Sequence, residues 1–190
     1  DLATHPRWSL ATLAATIGSG LPRTMNYATS KSGTSFERGA DRAGADWDYL
    51  ERLRSRWKRK LVIKGVQCPQ DAERIRSIGT DAIWVSNHGG RQLDGAVSSV
   101  VALPPIVDAV NDRAEVWMDS GIRSGQDVLR AIALGAQGTM IGRAFLYGLG
   151  AKGQAGVRQA LDIIYKELDL TLGLCGQSDL SKVDSSILIK

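Results

Sequence analysis

The sequence predicts an α/β fold of consecutive β-α units with parallel strands, amounting to half of a (βα)8 barrel. Two observations carry this expectation. From residue 61 onward, short apolar runs alternate with segments of helical period, as strands buried on both faces alternate with amphipathic helices. Each apolar run then ends in glycine or a polar residue, and the residues able to carry chemistry stand directly after it, at the carboxyl ends of strands. Four such units in succession imply right-handed crossovers between parallel strands.

Taken in order, Trp8, Leu10, Leu13, Ala14 and Ile17 are spaced for one amphipathic helix, ended by Gly18-Ser19-Gly20 and Pro22. The stretch up to residue 46 is Ser, Thr, Gly and Ala with scattered charge and no period, so residues 1–46 are expected to be a functional or disordered loop region. A helix resumes at Asp46, a suitable N-cap, with Trp47, Leu50, Leu53 and Trp57 as its buried stripe. Leu61-Val62-Ile63 is the first strand and ends in Lys64-Gly65; a helix from Pro69 to Ile78 follows, closed by Gly79. Ala82-Ile83-Trp84-Val85 is the second strand, followed by a helix from Ser98 to Val110 that Pro104-Pro105 should interrupt early. Glu115-Val116-Trp117-Met118 ends in Asp119-Ser120-Gly121, and its helix runs from Gln126 to Leu134, stopped at Gly135. The last strand, Gly138 to Ile141, ends in Gly142-Arg143 and leads to a helix from about Gly153 to Leu174. Trp84, Trp117 and Met118 are expected to pack the sheet, and Tyr147 and Tyr165 the helices.

A complete barrel of this type takes roughly 250 residues, whereas the four units occupy residues 61–176 of a 190-residue chain. A small open doubly wound sheet fits the pattern too. The chain opens at Asp1 without an initiator methionine, which suggests a fragment or a processed product. A net charge of +4 with dispersed basic residues gives no nucleic-acid footprint. The densest run, Arg52 to Lys60, reads as an amphipathic solvated face, with contact to an anionic membrane surface left open. Cys68 and Cys175 lack metal-ligand spacing and are expected to be free thiols. No apolar stretch reaches the length of a bilayer span, and no signal peptide opens the chain.

The chemistry concentrates in Ser86-Asn87-His88-Gly89-Gly90-Arg91. Gly89 and Gly90 allow the backbone to approach a ligand, and Arg91 can hold a carboxylate with a bidentate fork. An imidazole beside a carboxylate-binding arginine suits the oxidation of a 2-hydroxy acid, in which one group takes a proton while the other holds the substrate. Asn87, Gln92 and Asp94 are expected to hydrogen-bond within the turn. Lys64, at the end of the preceding strand, is either exposed or turned inward toward an anionic partner. The run Asp119-Ser120-Gly121-Ile122-Arg123 and the pair Gly142-Arg143 combine glycine amides, a following helix N-terminus and arginines after adjacent strands, as a phosphate site requires.

Residues 85–95, Val-Ser-Asn-His-Gly-Gly-Arg-Gln-Leu-Asp-Gly, resemble the active-site signature of the FMN-dependent 2-hydroxy acid dehydrogenases and oxidases, which include L-lactate dehydrogenase, mandelate dehydrogenase and glycolate oxidase. The resemblance covers residues 47–180, and its closest flavour, through Ser86 to Gly95 and Ile141 to Tyr147, is the L-lactate dehydrogenase branch. It implies a TIM barrel of which this chain holds strands five to eight, with residues 1–46 as the variable active-site and membrane-contact segment and residues 181–190 as a tail. It implies His88 as general base, Arg91 as substrate-carboxylate ligand, and Lys64 and Ser86 as contacts to the isoalloxazine. The FMN contacts extend to Asp119, Ser120, Gly121, Ile122, Arg123, Gly142 and Arg143; many family members have glycine where Ser120 stands. The implied activity is oxidation of an L-2-hydroxy acid, L-lactate favoured, to the 2-oxo acid, with a quinone, dioxygen or a cytochrome as final acceptor. His88 then takes either the hydroxyl proton during hydride transfer or the Cα proton in a carbanion route. The expected partners are the small-molecule acid, a missing amino-terminal half-barrel and further copies of the chain, in the cytoplasm or peripherally on the inner face of the membrane. The alternative is a non-catalytic half-barrel that associates with a separate amino-terminal chain or with itself.

Overall fold

The computed structural model describes residues 5–19 and 45–189. They belong to two compact units, divided between Leu50 and Glu51. In the first unit, helix α1 (Pro6–Ser19) opens with proline at its first position, where the missing N–H is no loss. The expected apolar face is not buried among the described residues: Trp8, Leu10, Leu13 and Ile17 are all exposed. The loop expected over residues 20–44 lies outside the described residues.

Helix α2 (Trp47–Arg56) spans the division, and Asp46 caps it, its carboxylate accepting the Tyr49 N–H at 2.7 Å. The expected stripe is only half-buried at Trp47, Leu50 and Leu53; no residue of α2 is fully buried, and Trp57 lies beyond its end, half exposed. Hydrogen bonds rather than apolar burial tie down this end. The Arg54 guanidinium donates to the carbonyls of Trp57, Arg59 and Gly79 and approaches Asp81 at 3.5 Å. Asp81 also accepts the Leu61 N–H at 2.8 Å and pairs with Lys60 at 2.8 Å.

The second unit continues as β1 (Val62–Val66), α3 (Pro69–Ser77), β2 (Ala82–Val85), α4 (Ser99–Val110), β3 (Glu115–Met118), α5 (Gly125–Ala133), β4 (Gly138–Thr139) and α6 (Arg143–Leu174). All neighbouring strands are parallel and their order is β1-β2-β3-β4. A doubly wound sheet reverses its strand order at a switch point; this one does not, which selects the half-barrel over the open alternative. Alternation along the strands sends Ile63, Ile83, Val85, Val116 and Met118 to one face, and the buried core is completed by Ala72, Ile75, Leu103, Ile106, Val110 and Leu129 of the helices. The register aligns Lys64, Trp84, Trp117 and Gly138 in one row on the other face, where the two indoles meet edge to face at 6.1 Å. In a closed barrel that face is the filled interior.

The elements differ from the sequence expectation at several points. Pro104 and Pro105 sit inside α4 without interrupting it. The carbonyls they leave without an intrahelical donor belong to Val100 and Val101, both exposed to water. Helix α6 begins at Arg143, ten residues earlier than its period suggests, and a break at Lys152-Gly153, with Gly153 at φ +60°, separates its two helical stretches. Tyr147 and Tyr165 are exposed rather than packed. Gly125 lets α5 meet α6 backbone to backbone: a β-carbon there would collide with main-chain atoms of Ile164, Glu167 and Leu168. Its N–H donates to the Glu167 carboxylate at 3.0 Å. Cys68 and Cys175 are free thiols. Among the described residues, no helix is long and apolar enough to cross a membrane.

Candidate active site

The segment after β2 turns sharply through left-handed backbone. His88, Gly89 and Gly90 have φ values of +56°, +67° and +75°. Histidine is uncommon in that region, and such conformations persist where the surroundings determine them. Here every amide from Asn87 to Gly90 has an acceptor. Asn87 N–H donates to Ser99 Oγ at 3.0 Å, His88 N–H to Ser86 Oγ at 3.1 Å, Gly89 N–H to Ser120 Oγ at 3.0 Å, and Gly90 N–H to Asn87 Oδ1 at 3.3 Å. The Asn87 amide also donates to Val97 O, so Asn87 bonds within the turn as expected. Gln92 and Asp94 do not; both are exposed, with no side-chain hydrogen bond among the described residues.

The His88 ring faces β1. The β1 register shifts between Lys64 and Val66, leaving Gly65 bulged at φ +91°, and a β-carbon on Gly65 would stand 2.9 Å from His88 Cε1. Gly65 is therefore the seat of the imidazole, a role that sequence reading missed; the signal was a glycine directly after a strand-end lysine. Gly65→Ala is expected to destabilise the fold by about 1–2 kcal/mol through its left-handed backbone and to push the ring away. Loss of Tm and a displaced His88 imidazole resonance would report the two effects; an unmoved resonance would show that the seat is not needed.

Lys64, on the inward row, reaches the carboxyl ends of the neighbouring strands. Its ammonium lies 2.9 Å from Asp119 Oδ2 and 2.9 Å from Ser86 Oγ, and 4.9 Å from the centre of the Trp84 ring. Both alternatives for Lys64 hold in part: it points along the inward row and pairs with Asp119, yet its side chain remains exposed. Burial pushes the Asp119 carboxyl up, but hydrogen bonds from Ser86, Ser120 and Lys64 outweigh it and hold the group below the usual carboxylate range. A depressed native pKa gives stability that is present above the ordinary aspartate range and is lost as pH falls through the native value.

The two motifs expected to bind phosphate differ. After β3, Arg123 N–H, Ser124 N–H and the Ser124 hydroxyl all donate to Asp127 Oδ2, a capping box that occupies the start of α5. Ile122 is buried, leaving only its backbone for a ligand, and Gly121, at φ +110°, is exposed. After β4, Gly142 supplies no side-chain cap to α6 and the first turn holds no acidic residue, so its orphan amides fit an anion. The Arg143 guanidinium reaches back toward the His88 loop, 3.5 Å from where a β-carbon on Gly89 would stand. The guanidinium groups of Arg91, Arg123 and Arg143 have no carboxylate partner among the described residues, and the His88 imidazole has no hydrogen-bond partner there. This donor set fits a phosphate-bearing cofactor together with a carboxylate substrate. A separate basic cavity of about 600 Å³, lined by Arg54, Lys58, Arg59, Lys60, Gly79 and Asp81, lies at the amino ends of β1 and β2 and contains none of these residues.

The family model for FMN-dependent dehydrogenases matches residues 1–190. An L-lactate dehydrogenase of Caulobacter vibrioides is 46% identical over 186 residues, covering 97% of this chain and 46% of that protein. An L-lactate oxidase of Nostoc sp. is 45% identical over 185 residues, covering 96% and 49%. The crystal structure of mandelate oxidase with (S)-2-phenylpropionate superposes with a TM-score of 0.71 at 44% identity, over 73% of this chain and 42% of that one. The chain spans about half the length of the curated relatives it matches. Four parallel units in barrel order, the His88 turn and a family match over the whole sequence lead to one assignment: the chain belongs to the FMN-dependent dehydrogenase family and is part of its barrel.

Proposed function

We propose that this chain, closed by an amino-terminal half-barrel, oxidises an L-2-hydroxy acid, L-lactate favoured, to the 2-oxo acid, with electrons passing on to a quinone or another acceptor. The observation that carries the reading is the left-handed His88 turn, which presents a hydrogen-bond-free imidazole on a loop that the Arg143 guanidinium also approaches. FMN, when bound, would supply the acceptor for the Cα hydrogen together with its bonding electron pair. Arg91 holds the substrate carboxylate, and His88 takes the hydroxyl proton on a ring nitrogen. Lys64, fixed by Ser86 and Asp119, presents positive charge where negative charge gathers, which stabilises that developing charge without reorganisation. Gly142, Arg143 and the start of α6 hold the phosphate, with Gly121 and Arg123 beside them. The same reading includes further copies of the chain as partners. It also includes a peripheral place on the inner face of the membrane, supported by Trp57, half exposed, among Arg52, Arg56, Lys58 and Arg59.

Anaerobic reduction of the bound flavin by L-lactate, mandelate and glycolate tests the reading. L-lactate is expected to reduce it fastest, and failure of all three would reject the assignment. Arg143→Ala is expected to weaken FMN binding by roughly ten- to a hundredfold, as loss of a charge-assisted hydrogen bond does. Reduction of the flavin that remains bound should change little, because the phosphate lies away from the reacting atoms. Unchanged FMN affinity, measured by titrating the apoprotein, would remove the phosphate assignment.

A further inference from the structure

We infer that Ser120 is a positioning residue that ties the His88 turn to the Lys64–Asp119 ion pair, holding base and fixed cation at one spacing. The inference rests on the roles of His88 and Lys64 proposed above. Ser120 has φ +73°, a conformation that glycine adopts freely and serine does not. A serine in a glycine conformation calls for a reason, and its hydroxyl supplies one. Ser120 Oγ accepts the Gly89 N–H at 3.0 Å and donates to Asp119 Oδ1 at 2.7 Å.

Ser86 makes the matching pair of bonds one residue earlier. Its Oγ accepts the His88 N–H at 3.1 Å and the Lys64 ammonium at 2.9 Å, and it lies 3.5 Å from Ser120 Oγ. Lys64 and Asp119 close the circuit at 2.9 Å. Two consecutive amides of the left-handed turn thus end on two hydroxyls, and both hydroxyls end on one ion pair, Ser120 on Asp119 and Ser86 on Lys64 and Asp119. Ser86 does this from a buried strand end, whereas Ser120 does it from strained backbone. In the proposed reaction His88 gains a proton as negative charge develops opposite Lys64, so the spacing of these two groups bears on the chemical step.

Ser120→Gly and Ser120→Ala separate the hydroxyl from the strain, since both remove Oγ but only glycine relieves φ. The substitutions are made in the flavin-loaded protein with its amino-terminal half. Tm should rise or hold in the glycine variant and fall in the alanine variant. Despite that opposition, both should lose exchange protection at the Gly89 amide and show a raised Asp119 carboxyl pKa by ¹³C titration. Both should also reduce flavin about tenfold more slowly, with KM nearly unchanged, as a displaced catalytic group does. Unchanged Gly89 protection and Asp119 titration in both variants would overturn the inference. So would a reduction rate that follows Tm, slow in alanine and normal in glycine. If the exchange and titration shifts appear but the unsubstituted protein does not reduce its flavin with L-lactate, the circuit stands and the substrate reading falls.

Discussion

Replacing His88 with asparagine is expected to leave FMN bound and to slow its reduction by roughly 10²–10⁴-fold, the usual worth of positioned proton transfer. Asparagine tolerates left-handed backbone better than most residues, so the turn and its amide bonds to Ser86 and Ser120 should persist. What disappears is the ring nitrogen, which no other described side chain restrains. Stopped-flow reduction under anaerobic conditions, with flavin content measured in parallel, separates loss of chemistry from loss of cofactor. A near-normal rate in a variant that retains its flavin would show that His88 is not the base.

The second large effect concerns closure. Residues 1–190 on their own are expected not to persist as a monomer holding stoichiometric FMN. Addition of an amino-terminal half-barrel should restore both solubility and flavin. Among the described residues, β1 and β4 each pair along one edge only, and the Lys64, Trp84 and Trp117 row belongs to four strands where a closed barrel has eight. Unpaired strand edges and an uncovered inner face recruit partners. Sedimentation combined with flavin absorbance checks this; a yellow, active monomer of the mass of this chain alone would refute it.

Strand identity was legible because it is local. Ala82-Ile83-Trp84-Val85 and Glu115-Val116-Trp117-Met118 are short apolar runs bounded by polar residues, and both form strands at those limits. Helix stops at Gly79 and Gly135 were equally readable, since each has the positive φ that ends a helix. The glycines and histidine of the turn marked its place for the same reason: backbone freedom and side-chain chemistry belong to the residue itself. Local pattern misjudged α2 and α6. An apolar stripe such as Trp47, Leu50 and Leu53 becomes fully buried only if something packs on it, and the break at Gly153 hid a separate helical stretch that begins at Arg143.

The arrangement inside the site depends on residues far apart in sequence. Nothing near Gly65 announces that His88, in the turn after the next strand, will rest against it; the parallel register and the bulge at Gly65 bring them together. Likewise Lys64 meets Asp119 across two strands, and Ser120 meets Gly89 across one. Which helix offers its amides to an anion also follows from folded geometry, because the Ser124–Asp127 capping box occupies the start of α5 while α6 begins uncapped at Gly142. Residue type thus determines which groups can bind or move a proton. Parallel pairing, whose partners are separated by whole β-α units, decides which of those groups come within hydrogen-bonding distance.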